Sequence, residues 1–301
     1  MGLRRATALA ALLVAAASCQ QASDPTRSKS APPAQHATDP LPHPLLWSIE
    51  KDGHTSYALG TMHVGVDPEA RLPDVVWDKL DRSRAFAMET DLADPALRKE
   101  LAERDDGGSL HADLGDGYWH KLERALTPPV AARIDHFRPT IPVTLLSMRG
   151  FPQTEPMDGV LLGRAQQHRE QIVYLEPAST QAALLVKWMD VRALEAMLDD
   201  LDASQQLQQD ALAAYLAGDD ARMLALDDRE RAEWIKLGRS EAEYDQMMKE
   251  MLYDRNASWL PAIERAHAAG GVFLAVGALH LIGKRSVLDL LRQAGYTVTR
   301  L

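Results

Sequence analysis

Two short runs near opposite ends of the chain carry the same device. SYALGTMHVG (residues 56–65) and VFLAVGALHLIG (residues 272–283) each pass from an apolar run to a glycine, two small or apolar residues, a histidine and a second glycine. Glycine at the end of a strand permits a sharp turn or a close neighbour. A histidine three positions later projects from that turn while the sheet holds its backbone. Ligands of α/β sheets gather outside the carboxyl ends of strands. His63 and His280 therefore stand where neutral imidazoles can bind Zn, Mn or Co, or where one of them can act as a general base.

Two acids share this placement. Glu89 ends AFAME and Glu176 ends IVYLE, and a carboxylate at the tip of an apolar run is costly unless it reaches solvent, a cation or hydrogen-bond donors. Two histidines and one carboxylate make a metal-binding triad that leaves positions open for water and substrate. A metal held there would lower the pKa of water and polarise a carbonyl. The bland alternative pairs each acid with an arginine or uses it as a cap. Arg255, in DRNASWLPAIERA, suits either an oxyanion or a structural ion pair. Tyr57, Asp158, Gln181 and Asn256 are weaker candidates. His54, His111, His120, His136, His168 and His267 lack the repeated setting and read as structural or exposed.

Familiar catalytic signatures are missing. The sequence has no HExxH, GxSxG, GxGxxG or P-loop, which removes the ordinary zincin, serine-hydrolase and nucleotide-binding readings. The formal charge is -10, and no Lys/Arg cluster is interleaved with aromatics. Nucleic acid is therefore not an expected partner.

The elements that must position these residues follow from pattern. MGLRR and the apolar run ATALAALLVAAAS have the layout of a secretory signal, too short to span a bilayer comfortably. Cys19, the only cysteine, closes that run as the acylated first residue of a lipoprotein or beside a conventional cleavage point. The expected address is thus the periplasmic face of the outer membrane, or the periplasm or medium. An exported chain with one cysteine has no internal disulfide and depends on core packing. Residues 20–44 are rich in Pro, Ser and Ala and read as a tether. It contains His36 and His43, both expected to be exposed.

From residue 45 to 301 the pattern predicts one domain. LLWSIEK and TSYALGT form a hairpin turning at Asp52–Gly53. VVWDKLD predicts a short helix, AFAM a strand, and the region beyond it a polar stretch leading to a helix near YWHKLERAL. MDGVLLGRAQQH is helical and QIVYLE is a strand. From about 189 to 254 only helical patterns follow, with 17 acids against 7 bases, and Ser240 and Glu243 make a capping box. Tyr244, Met247, Met248, Met251 and Leu252 line one face there and read as core more readily than as a ligand groove. A strand, helix and strand close the chain. The fold class is α/β, a mixed or largely parallel central sheet flanked by helices and interrupted by a helical insertion.

LWSIEKDGHTSYALGTMHVG, AFAMETD, LEPASTQ, RNASWLPAI and VFLAVGALHLIGKRSVLDLLRQAGYTV, taken in order, are similar to the TraB/GumN (PrgY, Tiki) family over about residues 45–300. The family's paired GxxH motifs fall on Gly60–His63 and Gly277–His280, and its acid on Glu89. Its LE…Q block falls on Glu176 and Gln181, and its Arg-Asn pair on Arg255 and Asn256. The resemblance implies a core related to the ChaN and erythromycin-esterase-like folds. It also implies metal-dependent proteolysis, since animal Tiki members are described as metalloproteases that trim an extracellular signalling protein. Bacterial members are associated with polysaccharide clusters and pheromone shutdown. The expectation is a metallopeptidase in which His63, His280 and Glu89 hold one divalent ion (Mn, Co or Zn) and act on a peptide or protein substrate. Glu176 or Glu89 takes a proton and Arg255 assists. Another metal-assisted hydrolase, or a periplasmic metal-, haem- or protein-binding module, are the alternatives.

Overall fold

The computed structural model describes residues 39–301. The expected export signal, Cys19 and most of the expected tether lie outside the described residues. Six strands form one sheet: β1 (Leu46–Lys51), β2 (His54–Thr61), β3 (Ala85–Met88), β4 (Gln171–Tyr174), β5 (Val272–Gly277) and β6 (Thr297–Arg300). Their order is β4-β3-β5-β2-β1-β6. β1 runs antiparallel to both of its neighbours and the remaining pairs are parallel, so the sheet is mixed, with helices around it.

Position in the sheet follows from composition. β3 and β5 are buried at every residue, as continuous apolar runs covered on both faces should be. Phe86 and Phe273 lie opposite each other in register and stack at 6.4 Å between ring centroids. β4 and β6 are partly exposed and occupy the two edges. The β1–β2 turn places Asp52 and Gly53 at φ of 50° and 79°. Two successive positive φ values match the right-handed twist of a hairpin.

The helices Asp74–Asp81 and Met157–Gln167 form where the periodicity predicts them, and the helix expected near YWHKLERAL is the later part of Leu110–Leu126, which kinks at Gly115 (φ 65°, ψ 168°). The stretch after β3 is different, because it contains the helix Pro95–Ala102. Only Leu97 and Leu101 are buried on it, too few for a strong periodic signal, but Asp94 caps it and Pro95 fixes its first turn. The chain joins the fold at Leu41, which is buried and donates its N–H to the Arg71 carbonyl, ahead of the start expected at residue 45.

Two hydrophobic clusters organise the interior. One centres on the sheet. The other is all-helical and draws not only on the segment after residue 189 but also on Leu97, Leu110, Val143 and Leu185. Ser240 and Glu243 form the reciprocal capping box. Tyr244, Met247, Met248, Met251 and Leu252 are buried in the helical cluster. Their helix changes form midway: α over Glu241–Met248, π over Lys249–Tyr253, then α again over Asp254–Ala268. A π turn inserts a residue and rotates everything beyond it, which sets the face carried by Arg255 and Asn256.

Candidate functional site

Four neighbouring parallel strands end side by side, and the segment beyond each delivers one candidate. In sheet order these are Glu176 after β4, Glu89 after β3, His280 after β5 and His63 after β2. Met88 is in register with both Tyr174 and Ala275, and Thr61 with Gly277. The α–π–α helix supplies Arg255 from the side. All five candidates are buried.

Arg255 joins the group. Its Nη2 donates to Glu89 Oε2 at 2.7 Å and to Glu176 Oε1 at 2.6 Å, and its Nε donates to both Glu176 oxygens. Nη1 donates to the Met251 carbonyl at 3.0 Å, within the π turn, and lies 3.3 Å from His280 Nε2. Gln181 Nε2 donates to Glu89 Oε2 and the Gly277 N–H to Glu89 Oε1, each at 2.9 Å. Trp259 Nε1 donates to Glu176 Oε2 at 3.2 Å, and its ring lies 4.5 Å from that of His280.

Both histidines are tied through the same ring nitrogen. His63 Nδ1 lies 2.5 Å from Asp158 Oδ2, and Thr61 Oγ1 donates to the other Asp158 oxygen at 2.9 Å. His280 Nδ1 lies 2.6 Å from Asn256 Oδ1, while Asn256 Nδ2 donates to the Arg285 carbonyl. Carboxylate and amide oxygens only accept, so each Nδ1 carries its proton and each ring presents Nε2 toward Glu89. His280 Nε2 is 3.8 Å from Glu89 Oε1. His63 Nε2 is buried with no hydrogen-bond partner.

Charge separates the two rings. Burial alone pushes the His63 imidazole down, but Asp158, with Glu89 beyond it, reverses this and raises its pKa to about 9. Burial pushes His280 down to about 3, and the attraction of Glu89 is partly cancelled by Arg255 and His63. Burial raises the Glu89 carboxyl, yet Arg255, His280, His63 and the Gly277 N–H outweigh it and hold it at about 2. Glu176 moves the other way: its burial and the charge of Glu89 outweigh Arg255 and Trp259 and leave it raised.

Tying Nδ1 to an oxygen so that Nε2 is presented is the usual outer-shell arrangement of metal-ligating histidine. A Cβ at Gly277 would lie 3.3 Å from Glu89 Oε1, 3.6 Å from His280 Cδ2 and 3.7 Å from His63 Nε2. The three expected donors thus surround one small space that glycine leaves unfilled. The unpartnered His63 Nε2 and that space fit a divalent cation in donor chemistry. Among the described residues, no three His, Cys, Asp or Glu side chains stand at mutual ligand spacing; Arg255 holds Glu89 Oε2 and faces His280 Nε2.

Asp158, Gln181, Asn256, Trp259 and Thr61 complete the site. Asp158 had a readable signal: it lies beside the buried apolar stripe Met157, Leu161 and Ala165 of its helix and is itself buried. Nothing local marks Trp259 or Thr61. Tyr57 stays outside, partly buried under Lys79. His267 is structural, bonded to Ser56 Oγ and the Lys51 carbonyl.

The chain belongs to the TraB/PrgY/gumN family, whose sequence profile matches residues 45–300. No curated protein and no solved structure matches it. Among the described residues no helix is long and apolar enough to cross a membrane.

Proposed function

We propose that the chain is an exported hydrolase, a metallopeptidase cutting a peptide bond in the cell envelope, with His63, His280 and Glu89 as the residues that hold one Mn, Co or Zn ion. The observation that carries this is the convergence of two Nδ1-tethered imidazoles and one carboxylate on the space beside Gly277. A bound divalent ion supplies Lewis acidity toward water and a carbonyl. Asp158 and Asn256 keep the Nδ1 protons in place, so each Nε2 is the nitrogen that would face a metal; His63, which Asp158 makes more basic, would release its Nε2 proton as an ion binds. Arg255 neutralises two buried carboxylates and offers donors to an oxyanion. Glu176, raised rather than lowered, is better matched than Glu89 to accept a proton near neutral pH. Burial of the group excludes bulk water. The same reading relates the sheet to the ChaN and erythromycin-esterase-like folds. It places the protein on the periplasmic face of the outer membrane through a lipid at Cys19, or free in the periplasm or medium.

A second reading has its own support. Arg255 Nη1 stands 3.3 Å from His280 Nε2, so the guanidinium is a resident cation for a metal-free acid–base or ligand-binding centre. Metal analysis of residues 20–301, exported and never exposed to chelator, separates the two. The expected result is about one ion per chain, lost in both His63→Ala and His280→Ala, and metal-dependent cleavage of a peptide panel. Wild-type protein that carries no metal and takes none up would sink the metallopeptidase reading and favour the second.

A further inference from the structure

A cavity of about 130 Å³ lies behind the second histidine, between the helices Leu201–Ala217 and Asp220–Lys236, the α–π–α helix and the loop after His280. It sits at the seam of the two hydrophobic clusters. Met223 and Ile282 on its wall belong to the sheet cluster, Met248 and Leu252 to the helical one. Protein interiors seldom leave a void larger than a water molecule, and one of roughly 150 Å³ is large enough to admit benzene; the wall here is mainly apolar, with buried Glu230 and Asn256 also on it. This cavity therefore has room for one large apolar side chain. Its two methionine walls adapt to different shapes, which gives part of the methionine stripe a use beyond packing.

Its position ties it to the site. Asn256, which fixes His280 Nδ1, also lines the cavity, as does Leu279 within the second GxxH motif. Its rim carries Leu224, which is 40% exposed, and exposed Lys284, with Asp227 opposite in charge. Such a rim offers polar partners to a peptide backbone whose side chain is inserted.

We infer that this cavity is a specificity pocket for a leucine, methionine or phenylalanine side chain of a peptide substrate. Its role in specificity rests on the peptidase reading; binding of the side chain does not. The test uses the exported chain with 13C-methyl methionine and two probes, N-acetyl-leucine methylamide and N-acetyl-alanine methylamide. The leucine probe is expected to shift the Met223 and Met248 methyl signals and the alanine probe to leave them unmoved. Ala211→Phe, which fills the cavity, and Leu224→Trp, which crowds the mouth from an exposed position and so spares the fold, should each remove the shift. No shift with the leucine probe, or a shift with benzene alone, overturns the inference. In a peptide panel, cleavage next to Leu, Met or Phe should exceed cleavage next to Ala by about tenfold or more, a preference lost in Leu224→Trp. Cleavage without that preference overturns the pocket and keeps the peptidase. Leucine-probe binding without any cleavage supports the pocket and removes the peptidase.

Discussion

The two GxxH devices match in sequence and divide their work in space. Gly60 lies inside β2, and a Cβ there would meet the Ala278 Cα at 3.0 Å and the Leu45 Cβ at 3.2 Å. It is needed for packing. Gly277 ends β5, and a Cβ there would enter the space shared by Glu89, His63 and His280. It is needed for room. The register explains the offset: Thr61, not Gly60, lies opposite Gly277. The first loop then runs on irregularly to His63, whereas the second coils into a 3-10 turn over Ala278–His280. One histidine meets an aspartate and the other an asparagine, so in the absence of a metal His63 holds a second proton far more tightly than His280 does. A repeated motif predicts a shared location without predicting a shared protonation state.

The comparison breaks most severely at Arg255. Arg255→Ala leaves Glu89 and Glu176 buried without their cation and should cost about 3–5 kcal/mol, measured by urea unfolding. It should also let His280 gain a proton more readily, making the two rings more alike by NMR titration. A loss under about 1 kcal/mol would contradict the clamp described above.

Next in size are the two limbs of the stability–pH curve. His63 binds its proton more tightly folded, at about 9 against 6.5. Its contribution is complete below pH 6.5 and lost as pH rises through 9. His280 binds its proton less tightly folded, at about 3 against 6.5, so stability falls as pH drops below 6.5. Glu89, at about 2 against 4.5, deepens that fall below 4.5. Stability should peak near pH 6.5, each limb amounting to about 1–3 kcal/mol. His63→Gln should flatten the alkaline limb and His280→Gln the acid one. Unchanged limbs in these variants would show that other groups control the curve.

Asp158→Asn sharpens the contrast by making the partners of the two rings alike. The His63 midpoint should move from about 9 toward 6.5, with about 1–2 kcal/mol lost. A midpoint that stays near 9 would assign the proton to Glu89 instead.

The two glycines should differ in stability effect, and Gly277 should give the smallest of all. Gly60→Ala should cost about 1–3 kcal/mol by overpacking while leaving the His63 titration in place. Gly277 has φ of -49°, which alanine tolerates, so Gly277→Ala should cost under about 1 kcal/mol. It should nevertheless abolish cation uptake and hydrolysis by filling the central space. Equal loss of stability in both variants would erase the distinction between packing and room.

What the sequence determined on its own is considerable: the hairpin from Asp52–Gly53, the buried centre of the sheet from AFAM and VFLAVG, the capping box, and the convergence of His63, His280, Glu89 and Glu176 at strand ends. These rest on periodicity, turn chemistry and motif order, all local to a few residues. The helix at Pro95–Ala102 escaped because two leucines make a faint stripe, and the π turn because 3.6-residue periodicity does not anticipate an inserted residue. Only the tertiary structure decided that Asp158 lies against His63 and Asn256 against His280, that Arg255 clamps both glutamates, and that the proton affinities of the two rings are pushed in opposite directions. A buried group's charge is set by desolvation together with neighbours brought from distant parts of the chain: Asp158 is 95 residues from His63, and Arg255 is 166 from Glu89. No local pattern records those distances.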